Sequence, residues 1–279
     1  MSIHLFHSTT VACSKVITKR YSTSFSLGIR MLGKSYRAPI YSIYGFVRLA
    51  DEIVDSFHEH DKQVLLEEFE RETWLALERR ISLNPVLHSF QLAVHNYGID
   101  RELIEAFLES MKMDLHNKRY NPELYEKYIY GSAEVVGLMC LKVFCNGNAE
   151  TYEKLKAPAR SLGSAFQKVN FLRDMKEDYS DKGRIYFPAI SLDDFNRDTK
   201  KVIEQDIQKD FDDALKGIRQ LPDGSRIGVY LAYRYYLKLF KKIRSIQPSR
   251  IMQERVRISN ARKFTILARS FARYKLNLL

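Results

Sequence analysis

Apolar residues recur at spacings of three and four along most of the chain, broken by seven prolines and with no polar/apolar alternation longer than a few residues. A pattern of that period buries itself as packed helices rather than sheet. Residues 37–56 read as one helix, with Ile40, Ile43, Val47, Ala50 and Val54 on its apolar face. Residues 61–82 and 101–117 read as two more, and Pro122 stands at a first-turn position opening a helix over 123–145. Further helices are expected over 151–178, broken near Pro158, over 198–220 and 225–246, and from 249 to the end. The irregular stretch is 179–194, with Gly183, Pro188 and several aspartates. Neither a fixed-period repeat nor a low-complexity segment divides the chain. The expectation is a single all-α domain over residues 1–279, a bundle of about eight or more helices.

Composition narrows the class. With 45% hydrophobic and 28% charged residues over 279 positions, collagen-like, disordered and disulfide-scaffold chains are excluded. A chain of this size buries about three-quarters of its unfolded surface, so no staples are needed. Cys13, Cys140 and Cys145 are odd in number and lack metal-ligand spacing, which suits a reducing cytoplasm. No run of 18 apolar residues and no signal-peptide pattern is present, so the chain is expected neither to span a membrane nor to be secreted. The net charge of +11 gathers at the C-terminal end, where residues 241–279 hold eleven Lys or Arg and one acid, Glu254. Such an end suits an anionic membrane surface, an anionic substrate or nucleic acid. The basic residues lie among apolar ones in helices, outside any DNA-binding motif, and no nucleic-acid partner is expected.

Two acidic stripes carry the chemistry. Asp51 and Asp55 stand at i and i+4, and Arg48 and Tyr44 continue their stripe backwards. Gln167, Asn170, Asp174 and Asp178 follow at steps of three, four and four, again one face of a helix. Hard oxygen donors, few in number and without His or Cys, suit Mg²⁺ that keeps several waters and completes its shell with substrate phosphate. Mn²⁺ would serve in its place. Two such helices would face one another across a cavity, with Arg48, Arg173 and Lys176 beside the carboxylates as diphosphate binding requires. The seven histidines show no H-E-x-x-H spacing, and neither G-x-G-x-x-G nor a P-loop occurs.

Five segments in order resemble the squalene/phytoene synthase family of head-to-head trans-prenyltransferases. They are YSTSF from Tyr21, YGFVRLADEIVD from Tyr44, YIYGSAEVVG from Tyr128, QKVNFLRDMKED from Gln167 and GRIYFP from Gly183. Glu52 stands where the family has a second aspartate, and Glu134 where it has glycine. The resemblance implies the isoprenoid synthase fold around a central active-site cavity. It implies ionisation of a prenyl diphosphate, with Arg48, Asp51, Asp55, Asp174, Asp178 and Tyr44 in catalytic roles. Asp51, Asp55, Asn170, Asp174 and Asp178 would hold the metal. Ser22, Ser24, Phe25, Tyr128, Gln167, Asn170, Arg173, Arg184, Tyr236 and Arg255 would bind substrate, although serines of this kind also serve as plain helix N-caps.

The expected reaction joins two geranylgeranyl diphosphates to phytoene through a cyclopropylcarbinyl diphosphate. The alternative is a squalene or dehydrosqualene synthase using farnesyl diphosphate, with NADPH needed only for squalene. A reading of another class is a non-catalytic, membrane-associated helical assembly factor of the same fold, which would have no need of both oxygen-ligand stripes. Insoluble substrate tails and product, together with the basic C-terminus, imply a cytoplasmic protein held peripherally on an anionic membrane.

Overall fold

The computed structural model describes residues 2–116, 119–180, 183–188 and 195–276. Its helices in order are α1 Ile3–Tyr21, α2 Thr23–Met31, α3 Lys34–Ser56, α4 Lys62–Arg79, α5 Pro85–Tyr97, α6 Arg101–His116, α7 Pro122–Ile129, α8 Val135–Cys145, α9 Ala149–Ser180, α10 Arg197–Ile218, α11 Arg226–Arg244, α12 Pro248–Ile251 and α13 Asn260–Lys275. A π-helical segment, Tyr130–Glu134, joins α7 to α8. Among the described residues there is no strand, only an isolated bridge between Arg119 and Ile185.

Most expected helices form within a few residues of their predicted ends, because Asp61, Asn84, Asn121 and Asn196 supply side-chain caps to the helices that follow them. The helix over 123–145 is instead three pieces, the π turn displacing the register in the middle. The break expected near Pro158 does not occur. α9 runs unbroken through it, packed along its length against α8, α10 and the π segment, so one lost backbone hydrogen bond does not end it. The helix expected from 249 onward is also corrected: α12 ends at Ile251, and a non-helical strap, residues 252–259, which turns at 252–254, precedes α13. Part of the predicted irregular stretch, residues 181–182 and 189–194, and Leu278 lie outside the described residues.

Three helices, α1, α2 and α5, had no counterpart in the apolar pattern. The reason is plain in α1, whose buried stripe is Thr10, Ser14 and Thr18. Ser14 Oγ meets Ser89 Oγ of α5 at 2.7 Å, and Thr18 hydroxyl donates to Ser14 O at 2.8 Å. Small hydroxyls dock this helix on α3 and α5 while Ile3, Leu5 and Val16 stay exposed.

The core is aromatic at its centre. Phe46 of α3 stacks on Phe90 of α5 at 3.9 Å and meets Phe69 and Phe107 at 5.3 and 5.4 Å. The segment Pro122–Cys145 is long and apolar enough to cross a membrane, but over half of its most apolar window is buried in this interior. Two close helix approaches shape the cavity wall. A Cβ on Gly228 would lie 2.8 Å from Gly28 O of α2, and one on Gly163 would lie 2.6 Å from Ala133 O of the π segment, so only glycine lets α11 approach α2, and α9 the π segment, this closely.

Candidate active site

A cavity of about 710 Å³ opens among α2, α3, the α7–α8 segment, α9 and α11. Its lower walls are apolar, with Ile29, Leu32, Ile40, Ile43, Leu141, Phe144 and Ile218 among them. Its mouth is polar and holds both acidic stripes. Tyr44, Arg48, Asp51 and Asp55 face it from α3, and Gln167, Asn170, Arg173, Asp174 and Asp178 from α9. Helical spacing, read from sequence, is therefore realised as one site. Ser22, Phe25, Tyr128, Arg184, Tyr236 and Arg255 also line it. Ser24 does not: two residues beyond Ser22 on α2, it is turned about 200° away from the wall. Lys176 likewise lies off the wall and is exposed. None of the seven histidines reaches the cavity.

Ser22 is both cap and wall. Its Oγ accepts from Phe25 N–H at 3.2 Å, fixing the start of α2, and it hydrogen-bonds the Tyr44 hydroxyl. Burial pushes the Tyr44 phenol up to about 12, so it stays protonated and available as a donor. Phe25 packs on Tyr44, Phe166 and Tyr236 at 5.3, 6.4 and 6.2 Å, and Tyr236 hydroxyl donates to Asn170 Oδ1 at 3.3 Å. An aromatic collar thus separates the polar mouth from the apolar interior.

The arginines are already engaged. Arg48 lies over the ring of Tyr21 at 4.5 Å, donates to Glu52 and stands 3.7 Å from Asp51. The substitution of the family's middle aspartate is explained by this contact: the longer Glu52 reaches one turn back to hold Arg48, and is not itself on the cavity wall. Both Nη atoms of Arg48 are turned to carboxylates of its own helix. Its Nε is buried with no hydrogen-bond partner. Arg173 pairs with its neighbour Asp174, and Arg255 of the strap reaches Asp174 at 2.8 Å and Glu177 at 3.0 Å. Glu134, the other departure, turns away from the cavity to Arg160 at 2.6 Å. Burial raises its carboxyl and the Arg160 guanidinium opposes that rise.

Sequence reasoning missed Asp114. This carboxylate of α6 is 7% exposed and lines the cavity. It accepts from Tyr128 hydroxyl at 2.7 Å and Tyr186 hydroxyl at 3.1 Å, and Arg184 Nη1 stands 3.5 Å away. Arg184 also reaches Asp55 at 3.5 Å and donates to the Asp114 carbonyl at 2.7 Å. Burial pushes the Asp114 carboxyl up, with Arg184 pulling against it. No local pattern marks Asp114; it is found only once the 183–188 loop folds back over α6.

If Glu52 orients Arg48, Glu52→Ala should raise KM for the diphosphate by roughly tenfold with a smaller change in kcat, since one charge-assisted hydrogen bond is at stake. Asp51→Ala should cost more. Steady-state kinetics of both variants check the order, and the reverse order would place Glu52 among the direct ligands.

The squalene/phytoene synthase family model matches residues 18–262. Chloroplastic phytoene synthase 1 of Solanum lycopersicum is 28% identical over 282 residues, covering 94% of this chain and 67% of that one. The 4,4'-diapophytoene synthase of Staphylococcus haemolyticus is 26% identical over 283 residues, covering 93% and 95%. Among solved structures, a ligand-bound dehydrosqualene synthase superposes with a TM-score of 0.80 at 22% identity, covering 96% of this chain and 98% of that one. A squalene synthase from Alicyclobacillus acidocaldarius gives 0.75 at 20%, covering 88% and 96%. These structural likenesses establish the isoprenoid synthase fold, and the family match, spanning both acidic stripes, establishes that the chain belongs to the squalene/phytoene synthase family.

Proposed function

We propose that this prenyltransferase of the phytoene/squalene synthase type joins two geranylgeranyl diphosphates head to head, with Mg²⁺, to give phytoene. The observation that carries the reading is a single cavity with two facing oxygen-donor stripes and four arginines at its mouth and an apolar interior beneath an aromatic collar. The donor set fits a hard divalent ion. Asp51, Asp55, Asn170, Asp174 and Asp178 offer oxygen donors, and since among the described residues no group of three His, Cys, Asp or Glu stands close enough to hold a metal ion by itself, water and substrate phosphate would have to complete the shell. An ion held that way keeps water and takes substrate phosphate into its shell, and when bound it supplies charge to the departing diphosphate.

The chain's own groups do the rest. Arg48, Arg173, Arg184 and Arg255 line the cavity and supply fixed positive charge where the leaving diphosphate develops its own. Ser22 and Tyr44 hydroxyls orient that group. Phe25, Phe166 and Tyr236 present ring faces to the allyl cation and keep water from it. Attack on the cation by the second prenyl double bond then gives a cyclopropylcarbinyl diphosphate, one free diphosphate and one proton. Released diphosphate, held at the arginines, is the base at hand.

Incubating the purified protein with Mg²⁺ and either geranylgeranyl or farnesyl diphosphate, with and without NADPH, tests the proposal by the hydrocarbon formed. Phytoene from the C20 substrate without NADPH is expected. Squalene with NADPH, or dehydrosqualene without it, from farnesyl diphosphate and no product from the C20 substrate would replace it; diphosphate release without hydrocarbon would mean that the reaction stops at the cyclopropylcarbinyl diphosphate, and no turnover of either substrate would leave the non-catalytic reading. Chain length is proposed to depend on Ile29, 4% exposed and on the wall one turn beyond Phe25. Ile29→Phe is expected to narrow the interior and shift the ratio of kcat/KM values toward farnesyl diphosphate by roughly tenfold or more, the scale of hydrophobic pocket discrimination. An unchanged ratio would remove Ile29 from the substrate path.

A further inference from the structure

We propose that Arg160 of α9 is a positioning residue for the prenyl tails: by gripping both ends of the π turn, through Glu134 and Tyr130, it holds the register of the cavity wall. Its Nε donates to a Glu134 carboxylate oxygen at 2.6 Å, and its guanidinium lies over the Tyr130 ring at 5.2 Å. Tyr130 opens the π turn and Glu134 closes it. None of the three lines the cavity. Their effect on substrate therefore passes through the backbone they hold.

The wall shows why the turn matters. Tyr128, Ser132, Val136, Cys140 and Phe144 follow one another at steps of four, and all face the cavity. On a straight α-helix each step of four drifts by about 40°, so the line would swing about 160° between Tyr128 and Phe144 and its lower half would leave the wall. The π turn, closed by Val135 N–H on the Tyr130 carbonyl, takes up one extra residue and winds part of that drift back. Mouth and floor thus share one line of side chains.

A π turn is rare in isolation and needs ties from outside. This one is packed closely on two sides. A Cβ on Gly131 would lie 2.7 Å from Ser110 Cβ of α6, and one on Gly163 of α9 would lie 2.9 Å from Glu134 Cα. Arg160 stands one turn before Gly163 on α9, where it spans the same contact. Glycine, which the family has at 134, offers no side chain for such a tie. Here the Glu134 side chain is 14% exposed and directed to α9.

The proposal rests on the prenyl diphosphate reading for the identity of the tail, so its test measures binding beside turnover. In the full chain with Mg²⁺, calorimetry would follow inorganic diphosphate and the unreactive S-thiolo analogues of geranylgeranyl and farnesyl diphosphate. Arg160→Met and Glu134→Ala should each weaken the analogues, and raise KM, by roughly tenfold, the lower end for a charge-assisted hydrogen bond because Arg160 is half-exposed. Affinity for inorganic diphosphate should be unchanged, since its partners stand on α3, α9 and the strap. Glu134→Gln keeps an acceptor oxygen and should recover most of the loss. The double variant Arg160→Met/Glu134→Ala should cost little more than either single one. Unchanged circular dichroism would separate these effects from unfolding. Equal weakening of diphosphate and analogues, wild-type affinity in Arg160→Met, or strict additivity would overturn the proposal. A wild type that binds the analogues no better than diphosphate would defeat the prenyl reading and the proposal with it, whereas a tail preference that the variants keep would defeat the proposal alone. Tail-dependent loss in a protein that makes no hydrocarbon would uphold it while defeating the proposed reaction.

Discussion

Asp51→Asn and Asp174→Asn are each expected to lower kcat by roughly 10²- to 10³-fold, the effect of losing one preorganised electrostatic partner of a developing anion. Both should also raise the Mg²⁺ concentration needed for half-maximal rate, which titration of the metal would read. Their stabilities should differ. Asp51 is about a third exposed and stands one turn from Asp55, so its neutralisation relieves like-charge repulsion while giving up a long, partly solvated pair with Arg48, and the two offset to leave the melting temperature near wild type. Asp174 is the partner of both Arg173 and Arg255. Its neutralisation strands Arg173 and leaves Arg255 with Glu177 only, and should lower the melting temperature by a few degrees even without metal. Near-normal turnover in the double variant would sink the ligand assignment for both stripes.

The difference between these two aspartates shows what the sequence could and could not say. Spacing of three and four was enough to put Asp51 with Asp55 and Asn170 with Asp174 and Asp178, because a helix repeats locally. That the two faces share one cavity follows from α3 and α9 being opposite walls, which the motif order implied and the coordinates show. The partners of those carboxylates were hidden. Arg255 arrives from a strap that the pattern read as continuous helix, although its buried apolar residues, Val256 and Ile258, stand only two apart and anchor a non-helical segment by burial. α1 escaped for the converse reason: it buries hydroxyls and exposes Ile3, Leu5 and Val16, so its period is invisible to hydrophobicity. Glu52, standing where the family has a second aspartate, braces Arg48, a contact that spacing alone did not announce.

Asp114 is the largest omission, and it supports the second large expected effect. Its buried carboxylate gathers Tyr128 at 2.7 Å, Tyr186 at 3.1 Å, Tyr120 at 3.5 Å and Arg184 at 3.5 Å. Asp114→Asn replaces the charge by an amide whose NH₂ would point donors at phenol donors and leave Arg184, 10% exposed, facing Asp55 alone. Breaking one side of a buried pair costs about 3–5 kcal/mol, and a chain of this size loses roughly 2–4 °C per kcal/mol. The melting temperature should fall by roughly 10 °C. Arg184→Met strands the carboxylate instead, and here the outcome depends on pH. Burial already raises the Asp114 carboxyl, and without the opposing arginine its folded value rises further. A carboxyl raised on folding favours the fold below its unfolded value, about 3.9, and loses that contribution as pH climbs through the raised folded value. The Arg184→Met protein should therefore lie closest to wild type near pH 4 and fall behind it toward neutrality, while Asp114→Asn should trail wild type throughout. Denaturant unfolding of the two single variants and the double at several pH values would measure this, with the double costing less than the sum of the singles. A pH-independent gap for Arg184→Met, or strict additivity, would show that Arg184 is not the counter-charge of Asp114 and that the loop over the mouth is held by its other contacts.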